Sequence, residues 1–321
     1  MLLTATCFFS LFLMGQSGPV LFENVRILQT ATGKLSAPAH VLVDGNTIAL
    51  VSSTPIQPAS GTTVVAGNGR TLMPGLIDVH VHLVFGALTM PDLLSPGLND
   101  TVVIEKAAVQ TRNMLLRGFT SVRDVGGPIF PLKLAIDKGL IQGPRVWPSG
   151  AVVSQTAGHG DFRTPEERSR RFFGRFSRAE LYGATFIADG RDEVLTAVRE
   201  NLRFGASQIK LMAGGGTSSA YDPVDVTQYT FDEMKAAVEA AEDWGTYVTV
   251  HAYTTRAVQR AIQSGVKCVE HGQLLDAATL KLMAKKKIWL SLQNLVASTE
   301  NMDAMRKEKR KPVIEGQENM A

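Results

Sequence analysis

The stretch LMPGLIDVHVHL, Leu72 to Leu83, decides how the rest of the chain is read. Its apolar run looks like a buried strand, yet it carries two histidines one residue apart. Imidazole is costly to bury without a partner. Strand side chains alternate, so His80 and His82 share one face about 6–7 Å apart. Two neutral imidazoles so placed at a strand end suit a metal ion; the plain alternative is a pair of hydrogen-bonded core histidines.

Working outward, the segments on either side differ in rhythm. From Val20 to Thr71 the pattern is strands and tight turns, with Asp44-Gly45 and Asn68-Gly69 as hairpin signals. About fifty residues of strand rarely make a self-sufficient core, so this part is expected to need strands from elsewhere. From Met73 onward strand and helix alternate. LLRGFTSVRD ends a helix at Gly118 and opens a strand, and RVWPSGAVVS is the next strand. Val194, Leu195, Val198 and Leu202 form a helix face closed by Gly205 before QIKLMAG. Thr230 and Glu233 read as a capping box for a helix stopped by Gly245 before TYVTVHAY. VKCVEHG and KKKIWLSLQNLV supply two more strands. Seven strands in this alternation favour a (β/α) barrel over a doubly wound sheet.

Composition is that of an ordinary globular protein: 321 residues, 45% hydrophobic and 20% charged, with net charge +3. That charge makes no case for a nucleic-acid partner. Cys7 and Cys268 are the only cysteines, so any metal must be held by histidine, carboxylate or modified lysine. The apolar run Leu2 to Gly15 is too short for a stable membrane span. It looks like a secretory signal core, with small residues at Gly15, Ser17 and Gly18, but no Lys or Arg precedes it. Secreted and cytoplasmic locations both stay open. The expected organisation is a signal-like segment at 1–17, a β-sandwich part at 18–72, and a barrel at 73–321.

Chemistry gathers at the strand ends, where barrels build their sites. His251 ends TYVTVH and His271 ends KCVEH. Lys210 lies between Ile209 and Leu211, where burial of an ammonium would depress its pKa. A neutral amine can take up carbon dioxide to form a carbamate, an anionic two-oxygen ligand able to bridge two metals. The alternative is a lysine paired with an acidic neighbour inside the barrel.

Taken in order, GLIDVHVH, RGFTSVRD, QIKLMAGGG, VTVHAY and VEHG resemble the amidohydrolase superfamily. GHGD (158–161) and AYDPVDVTQYT (220–230) look like loop signatures of its carboxylated-lysine, binuclear-metal branch, which holds prolidase-like dipeptidases and fungal ochratoxinase. The resemblance covers roughly Val20 to Val296. It implies a (β/α)8-type TIM barrel, with a small sandwich built from both chain ends. It further implies that His80 and His82 bind the more buried of two divalent ions, with zinc the expected metal. Lys210, as carbamate, would bridge the pair, and His251 and His271 would hold the exposed ion. Metal-assisted hydrolysis of an amide C–N bond by a metal-bridged hydroxide follows, on a dipeptide or N-acyl amino acid. His159 is the implied oxyanion donor and Tyr253 the implied carboxylate contact.

One departure stands out. The family's eighth strand carries a metal-binding, proton-shuttling aspartate, and nothing here matches it: the last aspartate is Asp303, in STENMDAMRKEK. The expectation is therefore a C-terminally truncated barrel without its eighth strand. A weak or inactive metal-binding scaffold is the rival reading. A mononuclear deaminase-type or cyclic-amidase relative is another, which Lys210 argues against. The basic stretch Arg163 to Arg178 is expected to be a solvated helix or a lid over the barrel mouth. Homo-oligomerisation is left open.

Overall fold

A computed structural model describes residues 18–217 and 221–292, and the chain divides after Gly75 into two compact units. Among the described residues no helix is long and apolar enough to cross a membrane.

The first unit holds β1 (Val20–Gln29), β2 (Lys34–Asp44), β3 (Thr47–Ser52), β4 (Thr63–Ala66) and β5 (Thr71–Leu72). They make one sheet in the order β3-β2-β1-β4, with β5 also on β1. Asp44 pairs with Thr47, so the first hairpin forms with Gly45 and Asn46 as its loop and Gly45 at φ +56°. The second expected hairpin does not form. Both β4 and β5 run parallel to β1, so the chain does not reverse between them. Asn68 and Gly69 do take φ of +51° and +77°, in a turn closed by the Arg70 N–H on the Gly67 carbonyl. That turn instead follows a bulge in β1 at Asn24, whose carbonyl accepts the Gly69 N–H at 2.7 Å. The expected sandwich is, among the described residues, a single layer. Leu21, Val25, Ala39 and Val41 are buried, while Ile48, Leu50, Val51, Val64 and Val65 stay exposed.

The second unit alternates strand and helix. It opens with β6 (Leu76–Val81), α1 (Met90–Leu93), α2 (Asp100–Leu116), β7 (Phe119–Asp124) and α3 (Phe130–Asp137). Next come β8 (Arg145–Pro148), β9 (Val152–Ser154), α4 (Arg170–Phe173), α5 (Arg178–Leu181) and β10 (Thr185–Ile187). Then follow α6 (Arg191–Arg203), β11 (Ile209–Met212), α7 (Phe231–Asp243), β12 (Val248–Thr254) and α8 (Thr255–Ser264). Last are β13 (Cys268–Leu274), α9 (Ala277–Lys286) and β14 (Trp289–Ser291).

Every ladder between these strands is parallel, in sheets ordered β6-β7-β8 and β10-β9-β11-β12-β13-β14. The α/β class expected from the alternation is present. Among the described residues no ladder joins β14 back to β6, and the expectation of an absent eighth strand falls on residues after Leu292, outside those described.

RVWPSGAVVS, expected as one strand, is two. Gly150 sits at φ +76°, and a Cβ there would meet Asn201 Oδ1 at 2.4 Å. The Asn201 amide accepts the Ala151 N–H at 3.0 Å and donates to the Ala151 carbonyl at 2.9 Å, replacing ladder partners across the break. β8 pairs with β7, whereas β9 pairs with β10 and β11, so the two sheets meet here. β10 itself was not foreseen. Helix signals read well: Thr230 and Glu233 form the capping box of α7, and Val194, Val198 and Leu202 of α6 are buried with Leu195 packed at their edge. Their core partners include Val153, Leu211, Val250 and Val269 from the strands.

Candidate active site

The seven residues singled out from the sequence all line one cavity of about 840 Å³. His80 lies in β6 and His82 one residue past its end; Lys210 is in β11, His251 and Tyr253 in β12, and His271 in β13. His159 comes from the loop after β9. The rings form a chain, with centroids 5.3 Å apart for His82–His80, 5.0 Å for His80–His271 and 4.5 Å for His271–His251. His159 stacks on His251 at 4.0 Å. Phe85, Leu88, Met90 and Phe162 give the cavity an apolar wall.

His271 reaches the cavity by an unusual backbone. Glu270 pairs with His251 across the ladder, so simple alternation would turn His271 away. Instead His271 takes φ +78° where the β12–β13 register slips, and its ring joins the cavity. For a non-glycine residue that conformation costs on the order of 1–3 kcal/mol, a strain typical of functional positions.

Electrostatics favour neutral donors. Burial pulls Lys210 down from its ordinary value to about 8, with the Arg123 charge adding to the effect. Lys210 is 1% exposed, and among the described residues it makes no ion pair, which removes the lysine–carboxylate alternative at contact distance. Burial also lowers His82 to about 3, holds His251 well below the usual imidazole range, and lowers His80. Each of these rings has one nitrogen anchored. His82 Nδ1 bonds the Gly126 carbonyl at 3.0 Å and His251 Nε2 the Gly215 carbonyl at 3.0 Å. A carbonyl only accepts, so those nitrogens carry the proton and the opposite ones offer a lone pair. His80 Nδ1 is likewise committed to Glu270 Oε2 at 2.8 Å.

This donor set suits a divalent metal in chemistry: imidazoles of which three are fixed in one tautomer, beside a lysine that sheds its charge readily. Among the described residues no three His, Cys, Asp or Glu side chains converge closely enough to hold an ion. The histidines come in pairs, and Lys210 lies beside them in the cavity lining, an amine that would offer oxygen only as a carbamate.

Around this set sit residues the sequence reading passed over. Asp222, buried, bonds His159 Nδ1 at 3.1 Å and accepts the Gly216 N–H at 2.6 Å. Asp124, pushed up to about 7 by burial, accepts the Leu83 N–H at 2.7 Å and the Gly126 N–H at 3.2 Å, fixing the chain on either side of the His82 ring. Glu270 and Arg123 form a buried pair at 2.6 Å. The signal that exposed Lys210, a charge inside an apolar strand, was equally present at Glu270 in KCVEH. Tyr253 packs against His251 and His271, and its phenol bonds the Thr217 side chain. The stretch Arg163 to Arg178 is a solvent-facing segment with the single turns α4 and α5. It supplies none of the cavity's lining residues, so the lid expectation is not met.

Comparison with known proteins places the chain in a family. Residues 71–314 match the model of the amidohydrolase family. Ochratoxinase from Aspergillus niger is 36% identical over 227 residues, covering 68% of this chain and 46% of that protein. The chain thus spans just under half the length of that relative. Among solved structures, a prolidase complexed with N-methylphosphonate-L-proline superposes with a TM-score of 0.77 at 34% identity, over 92% of this chain and 74% of that one. A Xaa-Pro dipeptidase with methionine in its active site gives 0.71 at 26% identity, over 85% and 66%. The chain belongs to the amidohydrolase family.

Proposed function

We propose that this site hydrolyses an amide C–N bond next to an amino acid, in a dipeptide or an N-acyl amino acid. The observation that carries the reading is Lys210, buried and poised to be neutral, set among two pairs of histidines, of which His80, His82 and His251 each have one ring nitrogen anchored. His80 and His82 would hold one divalent ion and His251 and His271 a second, with the Lys210 carbamate between them; zinc suits these donors. Bound ions would polarise the scissile carbonyl and lower the pKa of water. The relatives support the bond type: a prolidase, a Xaa-Pro dipeptidase and an ochratoxinase.

The chain's own groups then have definite tasks. His159, held through Nδ1 by the Asp222 carboxylate, is the ring placed to donate a hydrogen bond to the developing oxyanion. Tyr253 orients the carboxylate of the leaving amino acid with its hydroxyl. Phe85, Leu88, Met90 and Phe162 exclude water from the apolar end of the substrate. No described residue is assigned to carry the proton to the leaving amine.

Gly216 provides a sharp test of the His159 role. A Cβ there would lie 2.0 Å from His159 Cε1, so Gly216→Ala must push the ring off its place over His251. The variant is expected to fold and to lose about 10²–10³-fold in kcat, the usual cost of an oxyanion donor. The function itself is tested by incubating the zinc-loaded full chain with a panel of N-acyl amino acids and Xaa-Pro dipeptides, following amine release by mass spectrometry. Cleavage that a chelator stops and zinc restores is the expected result. Failure to cleave any member of the panel sinks the reading.

A further inference from the structure

Glu270 is fully buried, one residue before His271, and both of its oxygens are engaged. Oε2 accepts the Nδ1–H of His80 at 2.8 Å. Oε1 accepts from Arg123 Nη2 at 2.6 Å and from the Thr249 hydroxyl, with Cys268 Sγ at 3.5 Å. Arg123 is pinned in turn: its Nε donates to the Val79 carbonyl at 2.6 Å and its Nη1 to the Tyr247 hydroxyl at 3.3 Å. These contacts tie β13 to β6, β7 and β12 around a single carboxylate.

Oε1 is taken up by the Arg123 guanidinium and the Thr249 hydroxyl, so the carboxylate is paired with a fixed positive charge and faces His80 as an acceptor. His80 facing it must carry its proton on Nδ1 and turn the Nε2 lone pair outward.

We propose that Glu270 is a positioning residue: it fixes His80 as the Nδ1–H tautomer with Nε2 presented to a metal ion, and Arg123 holds Glu270 in that role. The inference rests on the metal-dependent reading of the site. It differs from a purely structural account of the pair, because a buried ion pair kept only for the fold can be exchanged for apolar residues of similar volume at little cost. Under the positioning account that exchange leaves the fold intact and still damages metal binding.

The test compares zinc affinity of the full-length wild type, Glu270→Gln, and the double variant Glu270→Met/Arg123→Met, by competition with a chromophoric chelator near neutral pH. Imidazole ¹⁵N shifts of the metal-free proteins report the His80 tautomer directly. Folding is checked by circular dichroism and urea unfolding. The double variant, which strands no charge, is expected to fold, to lose the Nδ1–H signature of His80, and to bind zinc about 10–100-fold more weakly, the usual cost of removing a partner of a metal-ligating histidine. Glu270→Gln keeps the side-chain volume and one acceptor oxygen, so it is expected to lose less zinc affinity than the double variant. It carries the comparison if the double variant does not fold. A folded variant lacking the carboxylate, with wild-type zinc affinity and an unchanged His80 tautomer, overturns the inference alone. Failure of the wild type to take up zinc overturns the metal-dependent reading and this inference together.

Discussion

Lys210→Met is expected to empty the site of metal and, at neutral pH, to make the metal-free protein more stable. The two effects share one cause. Lys210 is sealed between Ile209 and Leu211, where burial lowers its ammonium to about 8 from an ordinary 10.5. Between these values the unfolded chain holds a proton that the folded chain has released, so stability rises with pH across that window. Below pH 8 the folded protein bears the whole penalty, at most about 3 kcal/mol. Methionine has similar length and no charge, so it removes the penalty while deleting the amine proposed to form the carbamate. Urea unfolding of metal-free wild type and variant should show the variant ahead at pH 7 and the gap closing toward pH 10. Elemental analysis should show two zinc equivalents in the wild type and none retained by the variant. A variant that keeps both ions would mean that Lys210 is no ligand, whatever its effect on stability.

His82→Gln is expected to reveal a dependence of the same sign in a more acid window. The His82 ring stays neutral in the folded protein down to about 3, whereas an unfolded histidine takes its proton near 6.5. In that interval the unfolded state binds the extra proton, so the wild type loses stability as pH falls, by at most about 5 kcal/mol if the shift is fully realised. Glutamine does not titrate. The wild type's advantage over the variant should therefore shrink between pH 7 and pH 4, with chelator present to keep metal out of the balance. A difference that stays constant across that range would show that the ring is not held neutral by its surroundings.

Much of the site was legible because the chemistry breaks the pattern around it. His80, His82, Lys210, His251 and His271 are polar groups set in apolar strands, and the structure gathers all five around one cavity. Glu270 breaks the pattern just as plainly. It was passed over because strand alternation assigns neighbouring residues to opposite faces, and nothing in the residue type of His271 announces a left-handed backbone. The same blindness to backbone geometry explains Asn68-Gly69, where the right turn residues link two strands that never face each other. It also explains the break in RVWPSGAVVS, which depends on Asn201, a partner fifty residues further on. The alternation of strand and helix is local and was readable; which strands share a sheet depends on distant partners and was not.

That break between β8 and β9 has a consequence for how the protein loosens. The Ala151 peptide, at the point where the two sheets meet, is held on both its N–H and its carbonyl by a single side chain from α6. Neither sheet supplies that staple, so fraying of α6 releases the seam while the ladders on both sides are still intact. Slow-exchanging amides in the two sheets would then belong to separate cooperative units, with the junction opening at the free energy of a helix and not of the whole domain.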